Sequence, residues 1–351
     1  MLFENENLST LLESENLPTS NIVIHRSNLK HNMIDAFCDE EILNSIVIVK
    51  VIDGRGQMEK GEGRGVFRDI LTGFWQEFFV SATVGANEKI PAIRHDYQSE
   101  QWKAIARVFV YGFSQERYLP IQLSPAFISV CLFGESCITK AFLLESFKAF
   151  LSVSEQEIVN EVVSGNMSPL DDDVMEFLSS YQCFTTPSGN NIENIVWQLA
   201  HKEIIQKPRY IANCWTPILS LLKRYMPFQS LENLVSLYNE KKPNAKKVVK
   251  LLDAHPNTDA ERACLDHLKR FIRSIEGNIG TFLQFTTGSN VLVCDKISIS
   301  FNKLEGLGRR PVAHTCTPTL EIPSTYQSYN ELSEDFSNLL SNKNAWAFDI
   351  V

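Results

Sequence analysis

Cys316, at the end of the stretch PVAHTC (residues 311–316), is the residue with the clearest capacity for chemistry. A short apolar segment precedes it, and the step Thr317-Pro318 follows it directly. Proline has no backbone N–H and restricts the residue before it, so the chain must leave regular structure at this point. A thiol at the point where a strand ends in a loop is exposed to solvent, while the strand before it holds its backbone in place. Such a setting suits a nucleophile.

The other cysteines predict no such role. They lie at positions 38, 131, 137, 183, 214, 264 and 294. None forms a C-x-x-C pair, and no spacing of cysteine and histidine suits zinc, so the sequence predicts neither a metal nor a cofactor. Most have apolar neighbours, as Cys131 has in Val130 and Leu132, which is typical of inert core thiols. The sequence around Cys316 is polar, and this separates it from the rest.

Composition limits the class of protein. A chain of 351 residues can bury a large core, and this length predicts about two domains. No run of about 18 apolar residues occurs, so the sequence predicts neither a transmembrane helix nor a membrane partner. The net charge of −9 argues against nucleic acid as a partner. We interpret the lysines between residues 241 and 250 as one solvated helix face.

The first 20 residues contain four glutamates and no lysine or arginine. They include neither a basic segment nor an apolar core, so they predict neither a signal peptide nor a transit peptide. We interpret residues 1–20 as an acidic, disordered tail. Without a secretory signal the cysteines are most simply reduced thiols, and the sequence therefore predicts a cytoplasmic or nuclear protein.

Helical patterns dominate the first two thirds of the chain. Residues 21–60 contain apolar runs with strand character, and Gly61, Gly63 and Gly65 then predict a turn. Two helices follow, because apolar residues recur at helical spacing. Their buried faces comprise Phe67, Leu71, Phe74, Trp75 and Phe78 in the first and Trp102, Ile105, Val108 and Phe109 in the second.

Capping residues mark two further helices. Ser124 and Pro125 predict an N-cap and a first-turn proline, and Gly134 predicts the end of that helix. Ser328 and Glu331 form a capping-box pattern at the start of the last helix. These signals fix where two helices begin without any knowledge of their packing.

The stretch DAHPNTDAER (253–262) is the best candidate for a link between domains. Pro256 interrupts helix, and the stretch has almost no apolar content. A helix, the segment FLQF, a turn at Gly288 and the alternating strand ISISF (297–301) follow. The sequence therefore predicts an α+β fold with a large helix-rich lobe, a short hinge and a small α/β lobe that carries Cys316.

The stretch around the cysteine resembles a known family. PVAHTC, followed by Leu320, Pro323 and Tyr329, resembles the cysteine loop of HECT-type ubiquitin ligases. FLQFTTGS (282–289) is similar to the segment that lies upstream of that cysteine in the family's C-lobe. These two stretches are the specific part of the resemblance.

Other stretches also resemble parts of this family, and they occur in the same order along the chain. ARVFVYGFSQERYLPIQLSPAFISVCLFG (106–134) resembles a pair of N-lobe helices, and GEGRGVFRDILTGFWQEFF (61–79) resembles the glycine-rich turn and helix before them. Phe348 matches the phenylalanine that the family carries fourth from its end. The resemblance covers residues 21–351.

The resemblance implies a two-lobed HECT-like architecture with a flexible hinge. Its parts are the tail at 1–20, an N-lobe at 21–252, a hinge at 253–260 and a C-lobe at 261–351. It further implies that Cys316 accepts ubiquitin as a thioester from a ubiquitin-conjugating enzyme, here called the donor enzyme, and passes it to a lysine of a protein substrate. The exchange of thiol and thioester is nearly balanced, so the protein must mainly supply a thiolate and a geometry.

The resemblance also assigns roles to the residues near the cysteine. His314 and Thr315 match the family's residues before the cysteine. In a strand His314 and Cys316 point to the same face, so His314 could raise the thiolate fraction or orient the thioester; alternatively it is a structural residue that bonds the loop backbone. Phe348 is expected to pack into the N-lobe and fix the lobes for transfer to lysine; alternatively it only anchors the C-terminal segment.

The donor enzyme is expected to bind an apolar groove within residues 155–215. The candidate residues are Met175, Phe177, Leu178, Phe184 and Trp197. Each of them is alternatively a core residue, because apolar side chains at helical spacing are more often buried than exposed at an interface.

The chain departs from the family at several positions. Thr317 and Pro318 replace the aromatic residue and the asparagine after the family's cysteine, and Arg64-Gly65 replaces its Gly-Gly. A second hypothesis is therefore a catalytically impaired HECT-like pseudo-ligase that binds ubiquitin or the donor enzyme. An unrelated cysteine hydrolase is the third. It needs a relay from cysteine to histidine to asparagine or aspartate, and the strand before Cys316 and the proline after it argue against it.

Overall fold

The computed structural model of the protein describes residues 17–61, 63–342 and 346. Helices form most of this part and the sheets are small, so the fold is α+β, as predicted. Among the described helices, none has the length and the apolar character that a membrane-spanning helix needs.

The α-helices are α1 (Leu29–Phe37), α2 (Arg64–Ser81), α3 (Ser99–Glu116), α4 (Pro125–Phe133), α5 (Lys140–Phe150), α6 (Val153–Ser164), α7 (Asp172–Ser180), α8 (Ile192–His201), α9 (Arg209–Leu219), α10 (Leu231–Lys241), α11 (Ala245–Leu251), α12 (Asp259–Ser274), α13 (Ile279–Thr287) and α14 (Tyr329–Ser341). The strands are β1 (Thr19–His25), β2 (Ile46–Ile52), β3 (Thr83–Val84), β4 (Ile90–Pro91), β5 (Leu252–Ala254), β6 (Ile297–Asn302), β7 (Val312–His314) and β8 (Thr319–Pro323).

Shorter helical turns connect these elements. A π-helical turn covers Lys202–Gln206 between α8 and α9. The 3-10 turns are Arg26–Asn28, Glu40–Asn44, Glu135–Cys137, Ser220–Arg224, Met226–Phe228, Glu276–Asn278 and Gly306–Gly308.

The first sheet pairs β1 with β2 in parallel. The register aligns Thr19 with Ile46 and His25 with Ile52. β1 begins at Thr19, so the last two residues of the predicted 1–20 tail belong to the sheet; residues 1–16 lie outside the described part. The predicted tail is too long because Thr19 pairs with a residue 27 positions later in the chain. The local sequence does not predict such a distant partner.

The second main sheet has four strands in the order β5-β6-β8-β7. β5 and β8 both run parallel to β6, whereas β7 and β8 are antiparallel. β7 and β8 form a hairpin in which His314 pairs with Thr319. The segment that carries Cys316 is therefore the turn of this hairpin.

Buried apolar side chains form two clusters. The larger extends from Ile22 to Tyr238 and also includes Val291. The smaller extends from Ala245 to Phe336. All the residues that the sequence assigns to the apolar faces of α2 and α3 are buried in the larger cluster, so those two helices and their faces are confirmed.

The change from one cluster to the other lies before the predicted hinge (253–260). Ala245 of α11 already belongs to the smaller cluster. Asp253 of β5 pairs with Ser298 of β6, so the start of the predicted hinge is part of the sheet. The polar stretch around Pro256 has the composition of a linker, but its first residues pair with β6 through backbone hydrogen bonds, which composition does not predict.

Lys241 corrects the expectation of one solvated lysine face. Its side chain is buried, whereas Lys246 and Lys250 are exposed. Burial lowers the pKa of the Lys241 ammonium, and the carboxylate of Glu240 opposes that shift. The end of α10 is covered because the backbone of Leu292 donates a hydrogen bond to the Lys241 carbonyl at 3.2 Å. A residue at a helix end is thus buried by a segment about 50 positions later in the chain.

Two helices begin where capping residues predict. Ser124 Oγ accepts a hydrogen bond of 3.4 Å from the first turn of α4, and Gly134 ends that helix. Ser328 Oγ accepts one of 3.4 Å from Glu331 N at the start of α14. The Glu331 carboxylate, however, accepts from Gln327 N at 3.1 Å. The N-cap at Ser328 is therefore confirmed. In the predicted capping box the Glu331 side chain would bond the backbone N–H of Ser328, whereas it bonds that of Gln327.

The N-cap of α4 also contacts a partly buried carboxyl group. Ser124 Oγ and Ser146 Oγ share a hydrogen bond of 2.7 Å, and Ser146 Oγ donates to the carboxylate of Glu88. Burial raises the pKa of Glu88 to about 7, and the hydroxyl groups of Ser146 and Ser124 oppose the shift. Glu88 is therefore expected to bind a proton within the pH range in which the protein works.

We expect Glu88→Gln to reduce the pH dependence of stability. The pKa of Glu88 in the folded state is above its ordinary value of 4.5, so its stabilising contribution is complete below pH 4.5 and is lost as the pH rises through 7. With allowance for partial exposure, the free energy of unfolding should fall by about 2 kcal/mol more in the wild type than in Glu88→Gln between pH 5 and pH 8. Urea titrations at both pH values measure this, with the exposed Glu157→Gln as control. Equal pH dependence in all three proteins would contradict the assignment.

Candidate active site at Cys316

The hairpin of β7 and β8 presents Cys316 at its tip. β7 ends at His314, and the four residues 315–318 form the turn. The alternation of side chains in a strand therefore does not extend to Cys316, and the placement of His314 and Cys316 on one face stays a prediction. Both residues are exposed. The expected exit from regular structure at Thr317-Pro318 is confirmed.

Exposure distinguishes Cys316 from the other cysteines. All eight lie in the described part of the chain, and Cys316 alone is exposed. Burial raises the pKa of the Cys264 thiol to about 12 and raises that of Cys131 further. A buried thiol of this kind is rarely ionised and cannot be reached by a large partner. The predicted contrast between Cys316 and the inert core thiols is therefore confirmed for those two residues.

The glycine-rich turn before α2 lies directly against the cysteine turn. Gly63, the N-cap of α2, has a φ of +97°, and a methyl group built on it would lie 3.6 Å from Cys316 Sγ. A methyl group on Gly65 would lie 2.2 Å from Thr315 Oγ1 and 2.7 Å from Cys316 N, which is closer than atoms can approach. Arg64, between them, is exposed. A glycine is therefore required at position 65, because any larger side chain would collide with the cysteine turn.

Arg68 connects α2 to the backbone of the cysteine turn. Its Nη2 donates to the carbonyl oxygens of Thr315 at 2.7 Å and Cys316 at 3.3 Å. Its Nε lies 3.3 Å from Glu116 Oε2, and Glu116 Oε1 accepts from Arg64 Nε at 2.9 Å. The side chains of Arg68 and Glu116 are each only 6% exposed, so this ion pair is buried beside the turn that carries the thiol.

The burial of this pair has electrostatic consequences. Desolvation lowers the pKa of the Arg68 guanidinium, and the Glu116 carboxylate opposes that shift. Desolvation raises the pKa of Glu116, and Arg64 and Arg68 oppose it. The first turn of α2 adds the partial positive charge of a helix N-terminus on the same side of the thiol.

The segment FLQFTTGS contacts the same face of α2, because a methyl group on Gly288 would lie 2.5 Å from Gly65 O and 3.2 Å from Arg68 Cβ. It forms the end of α13, and Gly288 follows in a left-handed conformation with a φ of +78°. Thr72 Oγ1 donates to Gly288 O at 3.1 Å, and Gln284 Nε2 donates to Asp69 Oδ1 at 3.1 Å. Asp69 also accepts from Arg26 Nη1 at 2.7 Å. The segment is therefore fixed to α2 next to the cysteine turn.

The residues predicted to assist Cys316 have different surroundings. Thr315 is buried against Gly65. His314 is exposed, and none of the described residues forms a hydrogen bond with its ring, so the structure gives no support to a bond between that ring and the loop backbone. Phe348 lies outside the described residues.

The candidate donor-binding residues divide into two groups. Met175 and Phe184 are exposed, at 43% and 87% respectively. Phe177 and Leu178 are buried in the larger cluster and serve the core, so they are not available to a partner. Trp197 is partly buried, with its ring centroid 5.7 Å from that of His201. Within the predicted set, only Met175 and Phe184 offer apolar surface freely.

Sequence reasoning missed Arg68 and Glu116. Each is a charged residue within a helical stretch that is otherwise strongly apolar, and a charge on a buried face requires a partner. That conflict is the signal that could have identified them. It does not name the partner, because the carbonyl groups that Arg68 binds lie 247 and 248 positions later in the chain.

Comparisons with known proteins give no identification. No protein-family model matches this chain, and no curated protein matches it. Within residues 17–61, 63–342 and 346, no group of histidine, cysteine, aspartate and glutamate side chains is arranged to hold a metal ion. The chemistry of the site must therefore be argued from the thiol and its neighbours.

Proposed function

We propose that the chain is a ubiquitin-protein transferase of the HECT type, in which Cys316 carries ubiquitin as a thioester. The Cys316 thiolate attacks the carbonyl carbon of the thioester on the donor enzyme. A new S–C bond forms, the S–C bond to the donor breaks, and the donor cysteine leaves as a thiolate. A substrate lysine amine then attacks the new thioester, loses a proton, and releases the Cys316 thiolate.

The main support is the meeting of three segments around one exposed thiol. The turn and helix at 61–79, the segment at 282–289 and the stretch 311–316 carry the resemblance to the family, and they are far apart in sequence. In the fold they contact one another through Gly65, Arg68 and their partners. A chance likeness of short stretches gives no reason for such contacts.

A two-lobed arrangement with a mobile joint is part of the proposal. The two clusters of buried side chains support two lobes. The cysteine must face the donor thioester first and the substrate later, so the smaller lobe has to move relative to α2. The contacts of the cysteine turn with α2 then represent one of at least two positions of the hairpin.

We place the donor enzyme on the exposed apolar residues around Phe184. Phe184 lies between α7 and α8, and Met175 and Leu170 nearby in the chain are also exposed, at 43% and 64%. Exposed aromatic side chains are common centres of protein interfaces. The proposal retains Met175 and Phe184 from the predicted set and leaves Phe177 and Leu178 to the core.

We expect Phe184→Asp to weaken the use of the donor enzyme without unfolding the protein. The side chain is exposed, so the change removes no core contact, whereas a carboxylate in an apolar interface costs desolvation. The donor concentration that gives half-maximal loading should rise by about tenfold. Val80→Asp in α2 is the matched control, because Val80 is equally exposed at 88%. An equal effect of the two substitutions, or none from Phe184→Asp, would contradict the placement.

The pseudo-ligase is the second candidate function. Thr317 and Pro318 depart from the family, and the structure uses Pro318 in the sheet, where its carbonyl accepts from Ser298 N at 2.9 Å. A hydrolase is a weaker candidate, because none of the described residues joins the His314 ring to an acid or an amide.

A loading assay separates these functions. The purified chain is incubated with ubiquitin, activating enzyme, ATP and a panel of donor enzymes, and the products are separated with and without reductant. The transferase should give a ubiquitin adduct that reductant removes. A folded protein that binds ubiquitin or a charged donor enzyme but forms no adduct with any donor is the pseudo-ligase, and that result would overturn the proposal.

A further inference from the structure

We infer that Arg68 is a positioning residue for Cys316, because its guanidinium fixes the backbone of the cysteine turn. The inference rests on the proposed role of Cys316 as acceptor. Its test, however, uses a small reagent and not ubiquitin, so the two can fail separately.

Arg68 holds the cysteine turn through the backbone of that turn. Arg68 Nη2 binds the carbonyl groups of two successive residues, Thr315 and Cys316. The contact is with backbone, so it fixes the path of the turn whichever side chains the turn carries. Gly65 allows the turn to come this close. A planar guanidinium keeps several donors in a fixed arrangement, which a single ammonium group does not.

The charges around Arg68 also bear on the reactivity of Cys316. Arg64, Arg68 and Glu116 form a group with a net charge of +1 beside Cys316. Loss of the Arg68 charge would leave a neutral pair in which the buried Glu116 carboxylate repels a thiolate. The attacking form of a cysteine is negatively charged, so a buried carboxylate that has lost its Arg68 partner beside the cysteine turn should slow any reaction of Cys316 with an electrophile.

Arg64 provides a matched control. It binds the same carboxylate, but its side chain is 71% exposed and its other bond, of 2.7 Å, goes to the carbonyl of Gln115. It shares the charge and the partner of Arg68 without binding the cysteine turn. Solvent screens its charge, so its removal should affect the thiol much less.

The experiment measures the rate at which iodoacetamide alkylates Cys316 in the native full chain, followed peptide by peptide with mass spectrometry. Arg68→Gln should slow alkylation by about tenfold, because the cysteine turn loses the contact that holds its backbone in place. Arg64→Gln should change the rate by less than about twofold. Arg68→Lys should react faster than Arg68→Gln, because it keeps the charge and can still bind one of the two carbonyl groups.

A second variant protects the test against unfolding. Arg68→Gln leaves a buried carboxylate with one partner fewer, which can destabilise the fold. The double variant Arg68→Gln/Glu116→Gln removes both charges, so it should fold and should be alkylated faster than Arg68→Gln. A folded Arg68→Gln that reacts at the wild-type rate would overturn the inference, as would equal rates for Arg68→Gln and Arg68→Lys. If the rates follow expectation but the wild type takes up no ubiquitin, the positioning role stands and the transferase proposal fails.

Discussion

Cys316→Ala is expected to abolish the reductant-sensitive ubiquitin adduct while the fold is retained. The side chain is exposed at the tip of a hairpin, so its truncation leaves no cavity, and the free energy of unfolding should change by less than about 0.5 kcal/mol. The chemical effect is complete because alanine has no atom that can form the thioester. The measurement is adduct formation on non-reducing gels together with thermal unfolding of both proteins.

Two further variants control this prediction. Cys38→Ala removes a partly buried cysteine that packs against the larger cluster and should leave loading unchanged. Cys316→Ser keeps the size of the side chain but supplies a much weaker nucleophile, so any adduct it forms should be an ester that resists reductant. If the adduct survives in Cys316→Ala, another residue is the acceptor and the assignment of the site is wrong.

Gly65→Ala is expected to cause the second largest effect. The added methyl group would lie 2.6 Å from the carbonyl carbon of Thr315 and 2.7 Å from Cys316 N. Alanine in a helix is about 1 kcal/mol more favourable than glycine, so local propensity alone predicts stabilisation. The clash with backbone is larger and reverses the sign. We expect a net loss of about 1–3 kcal/mol in the free energy of unfolding and at least tenfold slower loading of Cys316.

The structure also predicts which second substitution does not restore the loading of Cys316 in Gly65→Ala. Thr315→Ala removes the hydroxyl group nearest to the new methyl group, but the backbone of Thr315 and Cys316 remains too close, so the double variant should stay impaired. Gly73→Ala in the same helix is the control, because its methyl group would meet only a terminal methyl of Leu29, at 3.0 Å. Near wild-type loading by Gly65→Ala would mean that the cysteine turn does not need its contact with α2.

Local features of the fold were predictable from the sequence. The apolar faces of α2 and α3, the N-cap at Ser124 and the irregular backbone at Thr317-Pro318 depend on residues a few positions apart, and the spacing of residues predicts them directly. The pairing of Thr19 with Ile46 and the burial of Lys241 depend on distant segments. No local pattern contains that information.

The candidate site divides in the same way. Cys316 was identifiable because a polar, proline-bounded setting differs from that of the apolar cysteines. The bonds from Arg68 to Thr315 and Cys316 were not, because a buried arginine announces only that it needs a partner. The strand was expected to continue to the cysteine, whereas it ends at His314 and the hairpin turn begins at Thr315.

The most direct test of the central claim is to locate the adduct by mass spectrometry. The wild-type chain is mixed briefly with a ubiquitin-charged donor enzyme, quenched at low pH without reductant and digested. We predict that the C-terminal glycine of ubiquitin is joined to the peptide that contains Cys316 through a bond that hydroxylamine cleaves. An adduct found only on another residue, or no adduct from a folded chain with any donor enzyme in the panel, would contradict the account.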